Sequence, residues 1–277
     1  DFHENLLVRR FDVRIPSGKA REVRLFLHHD FHIDQNEVGD TTYYEPQRRS
    51  VFHYKGKNWF MLNGAVETDQ SPYEPEDRTK PGIVLGVHQW ACGLKEIHNF
   101  QGTWRDAEDG TLSGNDVAHG SGDSTIGFTV NVPEGEIGKI WSWMAVAPDF
   151  KHVVAINRDV RERGPDFYLN RTAAFWKLWL DSHLPEQDNL ADAVSELYGR
   201  SLLIIRTQID QEGAILAAND SDISTAVRDT YSYMWPRDGA LVANALTRAG
   251  YVDLPRAFFD FCQRVLTREG YLLHKYN

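Results

Sequence analysis

The chain has 277 residues, of which 42% are apolar and 25% charged, a balance that excludes disordered, collagenous and coiled-coil classes. Its length exceeds the common single-domain range of about 100–200 residues, so two structural units are expected. Thirty basic against 40 acidic residues give a net charge of −10, which argues against nonspecific nucleic-acid binding. No apolar run approaches the roughly 18 residues of a membrane helix. Two cysteines, Cys92 and Cys262, lack zinc or redox spacing and read as reduced structural thiols, which suits a cytoplasmic home. The chain begins at Asp1 without a methionine or signal segment and stops at Asn277 after an apolar run, so both ends are expected to continue in a longer protein.

From residue 7 to about 146 the pattern is mostly of strands. Leu7, Arg9, Phe11, Val13 and Ile15 alternate with Val8, Arg10, Asp12 and Arg14. Pro16-Ser17-Gly18-Lys19 supplies a turn, and residues 23–27 read as the returning strand. A second hairpin is expected where residues 51–54 and 59–62 flank Lys55-Gly56-Lys57-Asn58, and a third where 125–132 and 139–147 flank Pro133-Glu134-Gly135-Glu136. Strands of this number suggest a large antiparallel sandwich. The Gly-, Pro- and acid-rich residues 64–122 predict long loops with short pieces of structure.

At residue 150 the period changes. Val153, Ile156, Val160, Phe167, Phe175, Leu178 and Trp179 recur at helical spacing, with Gly164-Pro165 dividing two helices. Further helices are predicted over 190–209, 238–249 and 254–267, with a short extended piece at 212–218 and stops at Gly250 and Gly270. The three helices after Asn189 have too few partners to bury their apolar faces, so additional neighbours are expected. The expected organisation is a β domain over 1–149, a helical linker over 150–187 and a helical domain over 188–277.

The densest chemistry lies in Tyr231-Ser232-Tyr233-Met234-Trp235-Pro236-Arg237-Asp238, immediately before a helix. Aromatic faces cover the C–H side of a pyranose, while planar carboxylate and guanidinium groups pair with neighbouring hydroxyls. The bland alternative makes Asp238 a helix N-cap with Arg237 as its surface ion-pair partner.

This segment, preceded by Gly213-Ala214-Ile215-Leu216-Ala217-Ala218, resembles the first active-site segment of glycoside hydrolase family 15, which contains glucoamylases, glucodextranases and some trehalases. Asp30-Phe31-His32-Ile33-Asp34 through Gly39-Asp40-Thr41-Thr42-Tyr43-Tyr44 is similar to the N-terminal super-β-sandwich of its bacterial and archaeal members. The resemblance implies a multidomain β + α architecture: an antiparallel β-super-sandwich, a helical linker and the first helices of an (α/α)6 barrel. It implies an exo-acting, inverting α-glucoside hydrolase that releases β-glucose from nonreducing ends and uses no cofactor or metal. Arg237 and Asp238 would hold hydroxyls of the terminal glucose, Trp235 would wall that pocket, Tyr231 would lie near the scissile oxygen, and Tyr233 would line the pocket or support Trp235. The general acid and base of the family are glutamates expected beyond Asn277; Glu269, just before Gly270, suits a helix C-terminus instead. Two other readings stand beside this one: a sandwich-plus-barrel disaccharide phosphorylase, and a noncatalytic sugar-binding or regulatory module.

Other candidates each carry a structural reading beside the functional one. His28, Asp30, His32 and Asp34 would share one face of a strand beside His29, a pattern that metal ligation and a polar sheet face both explain; the latter is favoured. Trp141 and Trp143, and Trp176 and Trp179, have the spacing of core faces of a strand and a helix. The acidic stretches 67–77 and 108–123 lack calcium-loop spacing.

Overall fold

A computed structural model describes residues 1, 3–35, 38–67, 83–95, 101–182, 191–218 and 232–276. It divides into two compact units, Asp1–Thr172 and Ala173–Asn277.

Among the described residues the first unit contains ten strands. They are β1 (Leu6–Arg14), β2 (Arg21–Asp30), β3 (Thr41–Glu45), β4 (Ser50–Lys55), β5 (Asn58–Glu67), β6 (Ile83–Leu85), β7 (Gln89–Leu94), β8 (Val117–His119), β9 (Gly122–Val132) and β10 (Ile137–Ala147). A larger antiparallel sheet runs β1-β10-β5-β4-β3-β8, with β6 added to β5, and a smaller one runs β2-β9-β7. The β4–β5 hairpin forms as the sequence predicts: Lys55 faces Asn58 across a two-residue turn whose first residue, Gly56, has φ 53°. The other two expected hairpins do not form. β1 pairs with β10 and β2 with β9, so residues 15–20 and 133–136 are corners that carry the chain from one sheet to the other. The corners bind each other, the Gly135 N–H donating to the Ile15 carbonyl at 3.4 Å and the Gly18 N–H to Glu134 Oε1 at 3.3 Å. Apolar alternation sets which face of a strand turns inward and leaves its pairing partner open.

The larger sheet is buried on both faces. Val51, Leu62, Val66 and Ile140 meet Ile126, Phe128, Val130 and Val132 of the smaller sheet. The alternate residues Phe52, Met61, Ala65, Trp141 and Trp143 meet Val153, Val160 and Tyr168 of two helices, α1 (Phe150–Arg163) and α2 (Pro165–Asp181). Asp149 caps α1 by accepting from the His152 N–H, Gly164 ends it at φ 84°, and Pro165 opens α2. Because both faces must be apolar, the indoles carry their polar edges inward and need partners there. Trp143 Nε1 donates to Asn157 Oδ1 at 2.9 Å, and Trp141 Nε1 donates to Asp166 Oδ1 at 2.9 Å. The helix α1, expected as part of a connector, therefore forms a third layer on the sandwich.

Three of the described histidines lie inside this unit. His53 Nε2 shares a hydrogen bond of 2.7 Å with Ser124 Oγ, and burial lowers its pKa to about 3. Burial likewise lowers His29 to about 3 and, with the Arg49 charge, His88 to about 4. The thiol of Cys92 is pushed up to about 12 by burial, as suits an inert core cysteine.

The second unit holds the rest of α2 and three further helices: α3 (Asp192–Thr207), α4 (Pro236–Arg248) and α5 (Asp253–Val265). Its core joins Leu202, Ile209, Ile215, Met234, Leu246, Tyr251 and Phe258. Trp179 stacks on Tyr251 at 4.4 Å, so this tryptophan belongs to that core. Gly239 of α4 lies against the Phe258 ring of α5 so closely that a Cβ would overlap it. The helix α5 ends at Val265, earlier than the Gly270 stop expected from sequence. Gly270, at φ 85°, instead closes a turn by donating to the Thr267 carbonyl, and Glu269 lies exposed in that turn, off any helix terminus. No helix among the described residues is long and apolar enough to cross a membrane.

Candidate functional site

The site is built where an extended segment turns into α4. Met234 is the anchor. It is 1% exposed, packs in the core of the helical unit and bridges Leu216 on one side and Tyr276 on the other. The bridge to Tyr276 is a full antiparallel pair: the Met234 N–H donates at 3.0 Å and the Tyr276 N–H returns the bond at 2.9 Å. With Met234 buried, the strand period sends its neighbours Tyr233 and Trp235 to the opposite face, where both are half-buried.

The same pairing sets Lys275 opposite Trp235. Lys275 Nζ lies 4.3 Å from the centroid of the Tyr233 ring and 5.6 Å from that of Trp235. His274 meets the Trp235 ring edge-on at 4.8 Å. A cation and an imidazole thus border the two aromatic rings.

Pro236 occupies the first turn of α4, where its missing N–H costs nothing, and Trp235 is the N-cap residue with no side-chain cap. Asp238 is not the N-cap; it stands inside the first turn, where a carboxylate is favoured by the positive end of the helix. Arg237 Nη2 donates to Asp238 Oδ2 at 3.1 Å. The guanidinium is 79% exposed and the carboxylate 39% exposed, so this pair contributes at most about 1 kcal/mol to stability and remains open to a ligand. Asp238 also lines a cavity of about 520 Å³ whose other walls include Gln208, Leu216, Ala217, Leu241 and Val242. One carboxylate in a mostly apolar recess is the composition of a small-molecule site.

The segment beneath is fixed by its own turn. Asp210 Oδ1 accepts from the N–H groups of Glu212 and Ala214, and Gly213 takes φ 91° where a Cβ would strike the Ala257 backbone. This turn carries residues 215 and 216 into their bridges.

Of the residues singled out in the sequence, Tyr233 and Trp235 share one cation, and Arg237 and Asp238 share one ion pair. Tyr231 lies outside the described residues. His274 and Lys275 were not anticipated: they stand some 40 residues after Trp235, and only the Met234–Tyr276 pairing brings them alongside.

The candidate metal strand disperses. Asp30 pairs with Lys95, which also reaches His32 at 3.2 Å; His28 Nε2 lies 2.7 Å from Asp123 Oδ2; and β2 has ended before Asp34. Among the described residues no three His, Cys, Asp or Glu side chains converge as metal ligands.

No protein-family model matches the chain. It is 20% identical over 283 aligned positions, and 98% of its own length, to an uncharacterized glycosyl hydrolase of Methanocaldococcus jannaschii. Its structure superposes with a TM-score of 0.67 and 16% identity, over 91% of this chain, on a bacterial glucoamylase solved in complex with acarbose. The fold is that of the corresponding part of the glucoamylase. The chain spans 41% of the length of the first relative and 34% of the second.

Proposed function

We propose that this chain is the β-super-sandwich, helical linker and opening barrel helices of an exo-acting, inverting α-glucoside hydrolase of the glucoamylase type. The observation that carries the reading is the cluster at the start of α4. Two aromatic rings on the outward face of one strand are followed directly by a solvent-accessible Arg–Asp pair at a helix N-terminus. The likeness to a glycosyl hydrolase in sequence and to a glucoamylase solved with acarbose in fold supports a carbohydrate as the ligand.

In this reading Trp235 lies against the C–H face of the nonreducing terminal glucose, while Arg237 and Asp238 bind its hydroxyls by charge-assisted hydrogen bonds. A sugar lacking one of those hydroxyls leaves a polar group unpaired, at a cost of about 1–3 kcal/mol. The acid and base are two glutamates outside these 277 residues, about 6.5–9.5 Å apart so that a water fits between base and anomeric carbon. The acid protonates the leaving oxygen as the base takes a proton from the attacking water, and attack from the opposite face delivers β-glucose.

Proton NMR of the complete hydrolase incubated with maltotriose in phosphate-free buffer tests the reaction. Early β-glucose is the expected product. Early α-glucose, or release only after phosphate is added, contradicts the reading. The 277-residue chain by itself is expected to bind sugar without turnover, because in this reading the acid and base lie outside it.

A further inference from the structure

We propose that Lys275 is a positioning residue of the sugar site, holding Tyr233 and Trp235 at a fixed angle to each other; this inference rests on the reading of the site given above. An aromatic pair on a short extended segment gains selectivity only if its rings are held, since a ring that must be ordered on binding costs affinity. The fold supplies a clamp. Tyr276 pairs with Met234 through both backbone bonds, and its hydroxyl accepts from the Leu273 N–H at 2.7 Å and donates to the Val265 carbonyl at 3.3 Å. Tyr276 therefore ties the 273–276 segment to the strand that carries the two rings and to the end of α5, and Leu273 is held back against the Tyr276 hydroxyl. Lys275 lies within that tied segment. Its ammonium reaches both ring faces, at 4.3 and 5.6 Å, while His274 abuts the edge of Trp235.

A cation near two π faces is attracted to both and so draws both rings toward it. This fixes the rings relative to each other without consuming the Arg237–Asp238 pair, which stays available for hydroxyls. The device needs a positive charge at 275 and not one particular shape, and this separates it from ordinary packing.

The test uses the 277-residue chain, with acarbose as the probe and tryptophan emission as the readout, for the unsubstituted protein, Lys275→Met, Lys275→Arg and Asp238→Asn. Each is checked for unchanged far-ultraviolet circular dichroism. Lys275→Met is expected to weaken acarbose binding about tenfold, and Lys275→Arg to restore it to within about threefold, because arginine keeps the charge over the rings. NMR adds a readout that needs no sugar: the Lys275 ε-methylene protons should be shifted upfield by the rings, and the shift should shrink in Tyr233→Leu. Equal losses in Lys275→Met and Lys275→Arg, or binding by Lys275→Met equal to that of the unsubstituted chain while Asp238→Asn binds poorly, would overturn the inference and leave the sugar site standing. Absence of acarbose binding by the unsubstituted chain, with the upfield shift present, overturns the site reading and this inference with it.

Discussion

In the sandwich unit the apolar residues of one strand are divided between two interfaces, Leu62 and Val66 facing the smaller sheet and Met61 and Ala65 facing the helices, and all four are buried. In the helical unit Leu197, Ile204, Leu241 and Phe259 are each more than half exposed. The first unit closes its own core; the second buries one face of each helix and leaves another apolar face in solvent. The candidate site lies in the second. Tyr233, Trp235, Arg237 and Asp238 stand at a helix start, where side chains stay accessible because the local core is completed by Met234 beneath them.

Three perturbations probe that difference. The largest effect is expected from Phe128→Ala, which removes a ring with no exposed surface between the two sheets and should cost about 3–5 kcal/mol in a urea titration of the strand signal. A loss under about 1 kcal/mol would mean that the sandwich is not the tightly packed unit described. Acid gives the next largest effect. His29, His53 and His88 have folded pKa values near 3, 3 and 4, below the ordinary 6.5, so the folded state keeps them neutral while the unfolded chain takes up protons. Their contribution is intact above pH 6.5, and stability falls as the pH drops from there toward 4. The helical unit has one described histidine, the exposed His274, so strand circular dichroism should melt progressively earlier than helix signal as acid is added. A melting temperature unchanged from pH 7 to 4 would contradict the burial of these imidazoles. The smallest effect is expected from Arg200→Ala, whose partner Glu196 is one turn away and equally exposed, at about 0.5 kcal/mol or less.

The sequence made the strands and helices legible because their periods differ, and the change at residue 150 coincides with the start of α1. It did not make their pairings legible. Residues 16–19 and 133–136 have the composition of hairpin turns and act as corners between sheets, since turn residues report a reversal of the chain and not which strand receives it. Strand β7 escaped notice within the polar stretch, because its pairing partner β9 is distant in sequence. In the site, the local motif exposed Tyr233, Trp235, Arg237 and Asp238, whose spacing is contiguous. Lys275 and His274 became visible only through the backbone pairing of Met234 with Tyr276, a long-range contact that no local pattern encodes. Asp238 looked like an N-cap from its place before an apolar period, but Pro236 starts the helix earlier and moves it into the first turn.

The central claim is that the start of α4 binds the terminal glucose of an α-glucoside through Asp238. Isothermal titration of acarbose into the 277-residue chain and its Asp238→Asn variant, both verified as folded, tests it most directly. Removing the carboxylate charge from a hydroxyl-binding pair should weaken binding by more than tenfold, given about 1.5–3 kcal/mol for a charged hydrogen bond. Equal affinity in the two proteins would contradict the claim.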